Sequence, residues 1–178
     1  TDDHWKLLLD TLSGVNESSS GFKIVLMPDM VTMNKHSATE LAGIIAQVAN
    51  DPALYRLSDG SVVISPFSSD FNSQANAPNP LTYWPLFIST LKNNYNVKVA
   101  FVPTWVSGNL TYQNWASFSY GYSSFGSHSP IPSYLSAAKT VTDTSHNQGK
   151  IWMQPVSVQD YRARSGSYYE AGNTELLR

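Results

Sequence analysis

Four short apolar runs, each reaching a proline, set the frame of this chain. They are Phe-Lys-Ile-Val-Leu-Met-Pro at 22–28, Ser-Val-Val-Ile-Ser-Pro-Phe at 61–67, Val-Lys-Val-Ala-Phe-Val-Pro at 97–103 and Lys-Ile-Trp-Met-Gln-Pro-Val at 150–156. Near-continuous hydrophobicity over such short spans is the pattern of strands covered on both faces, which means a parallel sheet. Proline closes each run because it has no N–H to donate to a neighbouring strand.

Helical spacing fills the gaps. Trp5, Leu8, Leu9 and Leu12 recur at i, i+3, i+4 and i+7, with Asp2 or Asp3 as a cap and Gly14 as a stop. Ser37 and Glu40 form a capping box ahead of Leu41, Ile44, Ile45 and Val48. A helix over 81–95 carries Trp84, Phe87, Ile88 and Leu91, and Pro85 places its regular start after Leu81. A further helix spans 133–147, with Gly149 at its stop. A short strand is expected at 117–121 and a final helix from Glu170 or Asn173. The stretches 68–80 and 104–132 read as long polar or aromatic loops. Strand alternating with helix predicts an α/β fold of parallel βα repeats. Two versions stand: part of a TIM-like (β/α)8 barrel, or an open doubly wound sheet. The 178 residues make one domain or part of one, spanning 1–178. A closed barrel needs about 250 residues, so the barrel version requires further strands on both sides. The start at Thr1 without Met reads as a processed, trimmed or partial chain.

Composition removes several function classes. Charged residues make up 13% of the chain, against about 25% in ordinary soluble domains. Ser and Asn take their place, at 25 and 13 residues. Net charge is −2 with no basic patch, which argues against nucleic acid. No apolar run approaches the ~20 residues of a membrane helix. Cysteine is absent, which removes disulfides, thiolate nucleophiles and thiolate metal sites. The four histidines show no ligand spacing, and no phosphate-binding glycine motif is present, so no metal and no cofactor are expected. Asn16 and Asn109 head glycosylation sequons. Low charge, abundant Ser and Asn and 12% aromatics point to an extracellular protein.

The chemistry concentrates where the apolar runs end. Asp29 follows Pro28, Phe67 and Asp70 follow Pro66, Trp105 follows Pro103, and Asp160 follows Pro155. Parallel sheets carry their sites at the carboxyl ends of strands. Three carboxylates and several aromatics would thus share one rim. Convergent carboxylates with aromatic faces suit a sugar, because glycosidic cleavage uses two carboxyl groups. Asp29, Asp70 and Asp160 are the in-chain catalytic candidates. Each has a plainer reading: Asp29 as a loop cap, Asp70 as a solvated loop residue, Asp160 as a partner for Arg162 or Arg164. Glu170 reads as an acid favoured by a helix dipole. Loops would expose Trp105 and Tyr120, while Trp5, Trp84 and Trp152 read as core.

Four segments resemble glycoside hydrolase family 71, the α-1,3-glucanases or mutanases. Gly21-Phe-Lys-Ile-Val-Leu-Met-Pro-Asp29-Met30 is similar to that family's strand ending in Asp-Met. Asp51 to Arg56, Asp59-Gly60 and Val62 to Phe67 are similar to its next segment, Val97 to Trp105 to another, and Lys150 to Ser157 with Tyr161 to a fourth. The four occur in family order. The resemblance implies a TIM-like barrel, secretion, no cofactor and hydrolysis of α-1,3-glucan with inversion. It implies that this chain covers roughly barrel strands three to seven. It assigns Asp29, Phe67, Asp70, Trp105, Tyr120, Gln154, Ser157 and Tyr161 to a substrate-binding wall. The family motif Trp-Asn-Asp-Tyr/Phe-Gly-Glu-Ser, with the expected acid/base pair, is not in the sequence, which places that pair beyond Arg178. Met27-Pro28 before Asp29 and Val158-Gln159 before Tyr161 depart from the family pattern. A non-catalytic carbohydrate-binding domain is the alternative, since it needs the aromatics but no carboxylate pair.

Overall fold

The computed structural model describes residues 2–18, 20–71, 76–106, 112–125, 131–154, 159–162 and 167–170. Helices α1 (Asp2–Glu17), α2 (Met30–Met33), α3 (Ala38–Ala46), α4 (Pro80–Tyr95), α5 (Tyr112–Trp115) and α6 (Ile131–Asn147) are interleaved with strands. The strands are β1 (Val62–Ile64), β2 (Val99–Phe101), β3 (Thr104–Trp105), β4 (Gly121–Ser124), β5 (Ile151–Met153), β6 (Gln159–Arg162) and β7 (Ser167–Glu170).

Parallel pairing follows chain order. The first apolar run contributes single bridges: Ile24 to Leu54, Leu26 to Ile64 and Asp29 to Phe67. β1 pairs with β2 from Val62 opposite Val99 to Ile64 opposite Phe101. Phe67 also bridges Thr104 on its other side. β3 pairs with β4, and β4 with β5, again parallel. Among the described residues this order never reverses. β6 and β7 form a separate antiparallel pair, from Gln159 opposite Glu170 to Arg162 opposite Ser167.

Strand alternation sorts the side chains onto two faces. Leu26, Val62, Ile64, Phe101, Trp105 and Tyr122 enter the main core with Leu12 of α1, Leu41 and Ile45 of α3, and Trp84, Phe87 and Leu91 of α4. The opposite face holds a second, smaller cluster: Val63, Ala100 and Val102 are buried there, with Val25, Leu57 and Met153 against them. Helices therefore cover one face. Met27 and Ile151, which alternate onto the other, remain exposed.

Several helix ends differ from expectation. α1 runs past Gly14 to Glu17. Glycine costs about 1 kcal/mol in a helix interior, and Val15 packing on the core holds the last turn. α3 begins as expected, with both halves of the Ser37–Glu40 capping box formed. α4 starts earlier than expected. Asn79 accepts from the Leu81 N–H, Pro80 occupies the first turn and Pro85 lies inside the helix. Burial of Tyr83, Trp84 and Phe87 outweighs the one backbone bond Pro85 cannot make. Asn96 closes α4 in the left-handed region at φ 55°. Gly149 does the same after α6 at φ 67°.

The strands also shift. The strand expected at 117–121 forms later, as β4. The helix expected from Glu170 is replaced by strand β7, because Glu170 pairs with Gln159; a start at Asn173 lies outside the described residues. In the sequence, the Ser165-Gly166 turn signal stands between the two runs. Trp84 is fully buried, and Trp5 and Trp152 pack half-buried against the core, as expected.

Candidate functional site at the carboxyl ends of the strands

Asp29 and Phe67 sit opposite each other where the first apolar run and the β1 strand end. The Phe67 N–H donates to the Pro28 carbonyl at 2.9 Å, and the Phe67 carbonyl accepts from the Met30 N–H at 3.1 Å. Asp29 caps α2: its Oδ1 accepts from the Val31 N–H at 2.9 Å, and its carbonyl accepts from the Met33 N–H. The capping alternative for Asp29 is therefore what the structure shows. The residue stays exposed while doing so.

Asp70 is presented by a tightly held loop. Ser68 and Phe71 on either side adopt left-handed φ values of 54° and 50°, and both are buried. Such conformations cost roughly 1–3 kcal/mol each for residues other than glycine and cluster at functional sites. Ser69 holds the turn from every side. Its Oγ donates to the Pro66 carbonyl and accepts from the Thr104 N–H, and its N–H donates to the Thr104 carbonyl. Its own carbonyl accepts from Trp84 Nε1 at 2.8 Å. The Asp70 carboxylate is half-buried and accepts from the Val106 N–H at 3.4 Å.

An aromatic pair lies at the same strand ends. Phe125 follows β4, and its N–H donates to the Trp105 carbonyl at 2.7 Å. Its ring meets Phe67 edge to face, with centroids 4.9 Å apart and planes at 81°. Sequence reasoning missed Phe125 because β4 lacks the closing proline that marks the four apolar runs. The remaining signal was an aromatic residue at a strand end.

Trp105 is corrected. It was expected on an exposed loop, but it lies in β3 and is fully buried. Alternation turns it toward the helices, where it stacks on Tyr122 and meets Trp115 edge-on. Its ring faces are not open to a ligand. Tyr120 is exposed as expected, at 42%, but at the wrong end of the sheet. Its N–H donates to the Phe101 carbonyl at the start of β4. Ser123, three residues on, pairs with Thr104 at rim level. Three residues of strand span about 10 Å.

Gln154 follows β5, is exposed, and accepts from Trp152 Nε1 at 2.7 Å. Asp160 and Tyr161 lie in β6, opposite Tyr169 and Tyr168, but their side chains are outside the described residues. Ser157 is also outside them. The structure thus brings Asp29, Phe67, Asp70 and Phe125 to one rim, and Gln154 to the end of the neighbouring strand.

Three titration shifts among the described residues lie away from the rim. The Ser37 backbone N–H and hydroxyl hold the Glu40 carboxyl below its usual value. Lys98 and Ser61 hold Asp59, at the amino end of β1, well below its own. Burial pushes the Tyr83 phenol up to about 12, and that hydroxyl donates to the His36 carbonyl. A depression of about 510 Å³ lies between the amino ends of α3 and α4, lined by His36, Glu40, Asn76, Thr82 and Leu86 among others.

No protein-family model matches the chain, and no curated protein matches it either. No helix among the described residues is long and apolar enough to cross a membrane. Among the same residues, no three His, Cys, Asp or Glu are placed to hold a metal ion. What the rim offers is carboxylate acceptors beside aromatic rings. That combination suits a neutral ligand with hydroxyl edges and C–H faces.

Proposed function

We propose that this chain belongs to an extracellular glycoside hydrolase that cleaves α-1,3-glucan with inversion, and that it supplies mainly the substrate-binding wall. The observation that carries this reading is the meeting of Asp29, Phe67, Asp70 and Phe125 at the carboxyl ends of parallel strands. The glucan linkage comes from the family resemblance of the four strand segments. In an inverting reaction one carboxylic acid protonates the leaving oxygen while a carboxylate activates water on the opposite ring face. Binding roles suit Asp29 and Asp70 here, because backbone N–H groups already engage both carboxylates.

The fold we infer is an arc of a TIM-like (β/α)8 barrel. Three features support it. Strand order follows the chain, whereas a doubly wound sheet reverses at a switch point. Helices cover one face, and the other buries Val63 and Val102, branched residues of the kind that fill a barrel interior. Phe67 and Phe125 also touch across an intervening strand, as side chains of alternate strands do inside a curved barrel.

A non-catalytic carbohydrate-binding domain is the second reading. The same engagement of both carboxylates by backbone amides favours it. Asp29→Asn and Asp70→Asn in the full-length protein separate the two. The hydrolase reading expects each to weaken glucan affinity about tenfold or more, since hydrogen bonds to charged groups contribute about 1.5–3 kcal/mol, and to lower turnover. Full binding in both variants, with no turnover in the parent, would favour the binding domain.

A further inference from the structure

The geometry points to Phe125 as a glucosyl-binding residue, one wall of a two-ring corner completed by Phe67; this assignment rests on the glucan reading above. The two rings come from strand ends separated by the strand that carries Thr104. Positions two strands apart on a flat sheet are about 9.6 Å apart, yet the ring centroids lie 4.9 Å apart. Both side chains therefore lean together over the face opposite the helices. Phe67 is half-buried and Phe125 is 52% exposed, so the corner is open to solvent.

The angle matters. Ring planes at 81° make a corner, not a flat platform. A pyranose seated there rests its C–H face on one ring and its exocyclic methylene against the other. Backbone bonds at Pro28 and Trp105 fix both ring bases before ligand arrives, which lowers the ordering cost of binding. Asp29, beside Phe67, supplies a hydroxyl acceptor at the mouth of the corner.

The test is calorimetric titration of α-1,3-linked gluco-oligosaccharides into the full-length protein. Phe125→Ala should weaken binding about tenfold or more, because it removes the apolar ring face against which the sugar would be buried. Phe125→Leu keeps apolar bulk against Phe67 but loses the ring faces, and should weaken binding as well. Phe125→Tyr should bind within about twofold of the parent, the ring being kept. Leu7→Ala, an exposed position on α1, should bind like the parent. If the parent binds and both Phe125→Ala and Phe125→Leu bind equally well, the corner is overturned and the glucan reading stands. If Phe125→Leu alone binds like the parent, ring stacking is overturned. If the parent binds no glucan, the glucan reading falls and the corner with it.

Discussion

Trp105 stacks on Tyr122 from the adjacent parallel strand, with ring centroids 5.0 Å apart and planes inclined by 27°. Both residues are fully buried. Trp105→Ala would open a large cavity between sheet and helices and cost about 3–5 kcal/mol of stability. Urea unfolding checks this. Trp105→Phe should cost less. If Trp105→Ala unfolds at the parental denaturant midpoint, the ring is not in the core.

Gly121 is fixed by its neighbour on β5. A Cβ there would meet the Ile151 side chain and lie 2.8 Å from the Ile151 carbonyl oxygen. Gly121→Ala should therefore push β4 and β5 apart and lower the melting temperature. Gly14, inside α1, has nothing within 4 Å of a Cβ. Gly14→Ala should raise stability by about 0.5–1 kcal/mol. The two variants have opposite expected signs, and one thermal melt of each compares them.

The α3 cap gives a third prediction. Ser37 accepts from the Glu40 N–H while the Glu40 carboxylate accepts from the Ser37 N–H. Ser37→Ala should cost about 0.5–2 kcal/mol by chemical denaturation.

Acid sensitivity follows from two carboxyls. Glu40 and Asp59 both titrate lower in the folded protein than their ordinary values of 4.5 and 3.8. A group lowered by folding binds fewer protons when folded. Its stabilisation is present above the ordinary value and is lost as pH falls below it. The unfolding midpoint of the parent should thus drop more, from about pH 5 to pH 3, than that of Glu40→Gln/Asp59→Asn. Parallel curves would contradict these roles.

Asp29 combines a cap with a proposed sugar contact, and two substitutions separate them. Asparagine caps a helix as well as aspartate does. Asp29→Asn should keep the melting temperature while losing glucan affinity, and Asp29→Ala should lower both. Unchanged affinity in Asp29→Asn leaves only the cap.

The parallel core was legible in sequence because the four apolar runs needed burial on both faces. The capping box at Ser37 and the stop at Gly149 were legible for local reasons of hydrogen bonding and backbone freedom. Trp105 was misjudged because exposure depends on strand alternation, and a Pro103-Thr-Trp step does not reveal that the strand resumes after the proline. Tyr120 was placed on the wrong rim because the start of β4 lacks a marker. The left-handed pair Ser68 and Phe71 could not be foreseen, since neither residue type favours that conformation. It is imposed by the bonds of Ser69 to Pro66, Trp84 and Thr104. The antiparallel pair β6 and β7 was not legible because Tyr161, Tyr168 and Tyr169 stand among Arg, Ser and Gly, without the apolar run that marks the parallel strands.

The rim is proposed to serve an inverting α-1,3-glucanase. The most direct test is proton NMR of the full-length protein with α-1,3-gluco-oligosaccharide, following the anomeric signals from the first minutes. New reducing ends should appear first as the β-anomer and then mutarotate. Products that appear first as the α-anomer would contradict inversion. No cleavage and no perturbation of substrate signals by the protein would contradict the glucan assignment itself.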